Sequence, residues 1–250
     1  MKIFSINKNK YSILICIVFL AVSHLVVAQK KEKHLFILSG QSNMQLLRPQ
    51  ESFLPILRDK FGNRNVAVAK YALGTQPIRR WYKDWKSANG DVSDIQADLY
   101  DSLMVKVNEV IERRKIDPKK AASITFIWMQ GERDAREGHG EVYEKSLLGL
   151  HHQLCKDLGR NDINFIIGRL SDFGIEKKAW SHWNMIREIQ VKIAQSNPRF
   201  AWINTDDLNT GINRQNKDVK DDIHMSVKGY VIMGERFAKK AINLIENNKM

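Results

Sequence analysis

Cysteine is almost missing from this chain of 250 residues, which has two, Cys16 and Cys155. Cys16 falls inside an apolar N-terminal run, so one thiol is left to the rest of the protein. A single thiol cannot close an internal disulfide. A disulfide-built scaffold is thereby excluded, and the core must hold together by packing. Proline is scarce too, at 5 residues, and no Pro/Gly/Ser-rich stretch, internal repeat or low-complexity tract interrupts the chain. No linker therefore argues for a second domain, and an apolar content of 43% rules out a disordered or collagenous chain. Long basic runs are lacking: no stretch of Lys and Arg exceeds three, and zinc-finger and aromatic-glycine RNA-binding signatures are absent. The formal net charge of +12 is spread along the chain and does not predict a nucleic-acid partner.

The N-terminus accounts for part of that charge. Lys2, Lys8 and Lys10 precede an apolar run from Ile13 to Val27, and Val26-Val27-Ala28 sets small residues where a signal peptidase cuts. The run is shorter than the roughly 20 apolar residues that span a bilayer and is broken by Ser23 and His24. It predicts a signal peptide over residues 1–28, a single domain over 29–250, and export to the periplasm or the extracellular space. No stable membrane insertion is expected after cleavage. Because no Cys follows the cut site, lipid attachment is not expected there. Loss of the three lysines lowers the formal charge from +12 to +9. Nothing in the sequence sets the oligomeric state.

Short β-rich apolar runs alternate with longer amphipathic segments. His34 to Ser39, Asn65 to Ala69, Ser123 to Trp128, Asn164 to Gly168 and Phe200 to Asn204 read as five buried strands. Asp94 to Arg114, Val142 to Leu158, Trp180 to Gln195 and Val227 to Glu246 repeat apolar residues at helical spacing, and Ser226 stands where the last helix needs an N-cap. Uniformly apolar strands separated by helices imply parallel pairing covered on both faces. The fold class is α/β, a three-layer α/β/α sandwich around a five-stranded parallel sheet. Such a sheet puts its ligand site beyond the carboxyl ends of the strands.

Gly40-Gln41-Ser42-Asn43-Met44 follows the first strand directly. A serine there can present its hydroxyl to the crevice, although alone it reads as a helix N-cap before it reads as a nucleophile. Met44 replaces the last glycine of the Gly-x-Ser-x-Gly elbow, so an α/β-hydrolase fold is not indicated. Asp221-Asp222-Ile223-His224 precedes the last helix, and the spacing from Asp221 to His224 lets a carboxylate orient an imidazole whose other nitrogen faces Ser42. A surface Asp-His pair is the competing reading. The Gly74 N–H after the second strand and the Gln130 side-chain amide after the third are candidate oxyanion donors. Cys155, between Leu154 and Leu158, reads as a buried apolar side chain, and His151-His152 as helix residues rather than metal ligands.

Four blocks in order now carry a resemblance: Gly-Gln-Ser-Asn-Met, Gly-Thr-x-Pro-Ile-Arg-Arg-Trp, Trp-x-Gln-Gly-Glu-x-Asp and Asp-x-x-His. The chain resembles the SGNH hydrolase superfamily over nearly all of residues 34 to 242. More closely, it is similar to the sialate O-acetylesterase and acetylxylan esterase branch, of the carbohydrate esterase family six type. The resemblance implies a flavodoxin-like arrangement with Ser42 as nucleophile, His224 as general base and then acid, and Asp221 as orienting carboxylate. It implies an oxyanion hole from the N–H groups of Ser42 and Gly74 with the Gln130 side chain. The wider superfamily usually has Asn where this chain has Gln130. Gln41, Asn43, Arg79, Arg80 and Trp81 are candidate substrate-binding residues, with packing of the tryptophan loop as the alternative, and Glu132 and Asp134 are candidate loop braces.

The implied reaction is removal of O-acetyl groups from acetylated oligo- or polysaccharides, through an acetyl-enzyme, with no metal or cofactor. Two other classes compete with it. One is a non-catalytic glycan-binding protein on an esterase scaffold, and the other is an envelope protein holding anionic glycans by charge.

Overall fold

The computed structural model describes residues 32–174 and 181–248. The expected signal segment lies outside the described residues. Strands β1 (His34–Gly40), β2 (Val66–Ala72), β3 (Ser123–Met129), β4 (Asn164–Gly168) and β5 (Phe200–Ile203) form one sheet in the order β2-β1-β3-β4-β5. Every pairing in it is parallel. This is the α/β/α fold expected, and it follows from strands that are apolar on both sides.

Alternation along β1 shows how the layers separate. Leu35 and Ile37 enter a core cluster with Trp81, Leu103, Trp128 and Leu150, while Phe36 and Leu38 enter a second cluster with Phe53, Met233 and Phe237. The first layer is made by α3 (Asp98–Arg114), α5 (Gly140–Leu158) and α6 (Ser181–Gln195). The second is made by α1 (Ser42–Leu46), α2 (Phe53–Phe61) and α7 (Val227–Asn247). Successive side chains of a strand point to opposite faces, so one apolar run feeds both cores.

Several boundaries differ from the sequence expectation. Helix α3 begins at Asp98 rather than Asp94, because Ala97 takes a left-handed conformation (φ 58°) that starts the helix afresh. Helix α5 reaches back to Gly140. Trp180, expected to open α6, lies outside the described residues. Helix α2, the short helix α4 (Glu132–Arg136) and a two-stranded ribbon of β6 (Gly211–Ile212) and β7 (Asp218–Val219) were not anticipated. Apart from the nine-residue α2, these elements have two to five residues, too few to display a period. Ser226 caps α7 by accepting the Gly229 N–H at 3.0 Å.

Gly40 closes β1 at φ 140°, and a Cβ there would lie 2.0 Å from the Met129 carbonyl oxygen. Glycine is therefore required where β1 leaves the sheet beside β3. That exit delivers the next residues to the carboxyl edge of the sheet.

Candidate active site

Ser42 opens α1 directly beyond the β1 exit, and the preceding Gln41 N–H donates to the Met129 carbonyl at 2.9 Å. His224 arrives from the loop that follows β7. Ser42 and His224 face one cavity of about 80 Å³, shared with Thr75, Glu132, Arg133 and Ile223. No hydrogen bond joins the Ser42 hydroxyl to the imidazole among the described residues. The His224 side chain is 44% exposed, so protons can reach it from solvent.

Asn43 holds these distant segments together. It is buried, its Nδ2 donates to Glu132 Oε1 at 3.0 Å and to the Ile223 carbonyl at 3.0 Å, and its Oδ1 accepts from the Tyr230 hydroxyl at 3.0 Å. One amide thus ties the residue after Ser42, the first residue of α4 and the residue before His224. Asn43, expected from the sequence to contact substrate, is buried behind the cavity and does not line it.

The two aspartates are placed differently from the simple spacing argument. The Asp221 carboxylate meets Thr210 Oγ1 at 3.5 Å, and Asp221 itself adopts φ 47°. Asp222 Oδ1 accepts the His224 backbone N–H at 2.8 Å and lies 3.8 Å from His224 Nδ1. The latter separation exceeds a hydrogen bond. Asp222 is thus the nearer acid to the ring, because the left-handed turn at Asp221 directs its carboxylate toward Thr210.

The oxyanion candidates also divide. Gly74 lies beside Ser42, where an added Cβ would be 3.6 Å from Ser42 Cβ, and its N–H is occupied by Gln45 Oε1 at 2.8 Å. Gln130 is fully buried, and its Nε2 donates to the Gln76 carbonyl at 3.1 Å and to Asp134. Its backbone carbonyl accepts from Tyr143 at 2.6 Å and from Gln190 at 2.9 Å. Both amide hydrogens are spent inside the protein, so Gln130 offers no donor to the cavity.

Acidic side chains behind the site carry burial costs. Asp134 Oδ2 accepts the Ile78 N–H at 2.9 Å, and burial pushes its carboxyl up to about 7. Burial also raises Glu132, whose Oε2 has no hydrogen-bond partner. Gln41 borders the cavity, and its Oε1 accepts the Arg133 N–H at 3.2 Å.

The loop of Arg79, Arg80 and Trp81 packs rather than lining the site. Trp81 is fully buried and meets Trp128 edge-on at 5.3 Å. Arg79 pairs with Glu137, and Arg80 Nε donates to Asp98 Oδ1 at 2.9 Å. None of the three lines the cavity: the loop inserts its indoles into the core and closes its guanidiniums onto Glu137 and Asp98. Cys155 is buried with its thiol pushed up to about 11 by burial, and the neighbouring His151 ring stacks on Phe165 at 5.0 Å.

Comparison with known proteins now bears on this arrangement. Residues 45–243 match the family model described as carbohydrate esterase, sialic acid-specific acetylesterase. The chain belongs to this carbohydrate esterase family. It is accordingly a carboxylic ester hydrolase acting on carbohydrate esters. Solved structures repeat the fold. A protein from Arabidopsis thaliana superposes with a TM-score of 0.60 at 16% identity, covering 85% of this chain and 98% of that one. A carbohydrate acetylesterase from Xanthomonas citri gives 0.60 at 17% identity, covering 88% of this chain and 57% of that one. A family 3 carbohydrate esterase from Clostridium thermocellum gives 0.51 at 11% identity, covering 86% and 98%. A sequence comparison with curated proteins finds no match. Among the described residues of this esterase, no helix is long and apolar enough to cross a membrane.

Proposed function

We propose that this family member is an exported serine esterase that removes O-acetyl groups from a glycan such as acetylated xylan or sialic acid, using Ser42 as nucleophile and His224 as base. The observation that carries the reading is the shared cavity of Ser42 and His224, which come from opposite ends of the domain. As Ser42 Oγ bonds to the acetyl carbonyl carbon, His224 takes the hydroxyl proton. The backbone N–H groups of Ser42 and Gly74 stabilise the resulting oxyanion, Gly74 doing so once the Gln45 side chain turns away. Each placed donor is worth roughly 3 kcal/mol. Collapse of the tetrahedral species breaks the bond to the sugar oxygen, which leaves with the proton from His224. Water, deprotonated by the same ring, then releases acetate and restores Ser42.

For the orienting carboxylate the resemblance favours Asp221, whose carboxylate would have to leave Thr210 for that role. A second reading assigns Asp222, favoured by its 3.8 Å approach to that nitrogen. Acetate release by Ser42→Ala is expected to fall by a factor approaching 10⁶, as for a triad acting as a unit; activity within tenfold of the parent overturns the serine assignment. Asp221→Asn and Asp222→Asn, compared in the same assay, identify the orienting acid by the larger loss, on the order of 10⁴.

A further inference from the structure

His224 is a wall between two cavities of different size and character. On one side is the space of about 80 Å³ that holds Ser42. On the other is one of about 220 Å³, whose lining includes Leu46, Asn213, Arg214, Gln215 and Met225. Three of these residues belong to the turn between β6 and β7, a ribbon outside the main sheet.

The ribbon is built to hold its polar groups still. Asn213 Oδ1 accepts the Gln215 and Lys217 N–H groups at 3.0 Å each, fixing the turn and leaving its Nδ2 without a partner among the described residues. Arg214 forks onto Glu51, with Nη1 at 3.1 Å and Nη2 at 2.8 Å, and its guanidinium lies 5.6 Å over the Tyr230 ring. Arg214 Nε is buried without an acceptor, and the exposed Gln215 side chain has no hydrogen bond among the described residues. Leu46, 37% exposed, lines the same cavity and gives it an apolar wall. A polar edge facing an apolar one is the pattern that a pyranose matches, since its hydroxyls lie around the ring and its C–H groups on the faces.

Resting on the serine esterase reading above, we infer that the β6–β7 ribbon is the leaving-group subsite, holding the pyranose ring whose oxygen His224 protonates. The smaller cavity takes the acetyl group and the larger one the sugar, with the imidazole between them where a proton must pass to the departing oxygen. Arg214 and Gln215 are specificity-determining residues that act on sugar esters and have no counterpart contact with an aryl acetate.

The test compares kcat/KM for a mono-O-acetylated pyranoside with that for p-nitrophenyl acetate in the full chain and in Gln215→Ala and Arg214→Lys, with urea unfolding to verify folding. The subsite predicts that the ratio of the two kcat/KM values falls about tenfold in each variant, mainly through KM for the sugar ester, matching the loss of one directed hydrogen bond. A ratio within twofold of the parent in both variants overturns the inference, whether absolute rates hold or fall together. Ser42→Ala separates the two levels of the argument. Retained hydrolysis in that variant sinks the serine reading, whereas an unchanged ratio with an inactive Ser42→Ala sinks the subsite alone.

Discussion

Replacing Asn43 with alanine tests how the site is assembled. The change deletes three hydrogen bonds, to Glu132 Oε1, the Ile223 carbonyl and the Tyr230 hydroxyl, at a residue that is 1% exposed. A net bond contributes about 1 kcal/mol, and a buried partner left unsatisfied costs roughly 1–3 kcal/mol more. Glu132 is the costly one, because its other oxygen already lacks a partner and burial opposes its charge. The sum is a loss of about 4–6 kcal/mol, which for a domain of this size lowers Tm by on the order of 10–20 °C. Activity should fall further than stability. The amide links the Ser42 and His224 segments, and a displacement near 1 Å in a reacting constellation costs about 10² in rate. Urea unfolding and kcat/KM on an aryl acetate, both at a temperature where the variant is folded, provide the two measurements. A stability loss under 1 kcal/mol with kcat/KM within threefold of the parent would refute the role given to Asn43.

Three further outcomes are expected. Asp134 ionises near 7 in the folded protein against 3.8 ordinarily, so the folded state keeps a proton that the unfolded chain has released, and stability from this group is lost as pH rises from about 4 to 7. Asp134→Asn should flatten that slope in urea unfolding measured across the window, and an unaltered slope contradicts the burial argument. Gly40→Ala puts a Cβ 2.0 Å from the Met129 carbonyl and should cost about 3 kcal/mol or prevent folding, with a change below 1 kcal/mol counting against the required exit from β1. Alkylating reagent should label Cys155 slowly in the folded protein, whose thiol is buried and raised to about 11, without loss of esterase activity; inactivation in step with labelling would move the chemistry to the thiol.

Much of the architecture was written in local pattern. Runs such as HLFILS and SITFIW declare strands buried on both faces, and the stripe along Val227 to Ile245 declares a helix lying on the sheet, because burial selects apolar side chains at the period of the element. Glycine at position 40 and serine at 226 are likewise local, one set by a backbone angle and the other by a cap. Those features, with four short motifs in order, were enough to indicate the fold and the esterase class. Partnership across the chain was not legible in the same way. Whether Trp81 lines a crevice or fills the core, whether Gln130 donates outward or to Asp134, and which aspartate approaches His224 all depend on where other segments lie in space. The ribbon of Gly211–Ile212 and Asp218–Val219 was invisible to periodicity because its strands are two residues long. Composition and period act between neighbours along the chain, whereas a hydrogen bond such as that from Asn43 to the Ile223 carbonyl joins residues 180 positions apart, and only folding decides which donor finds which acceptor.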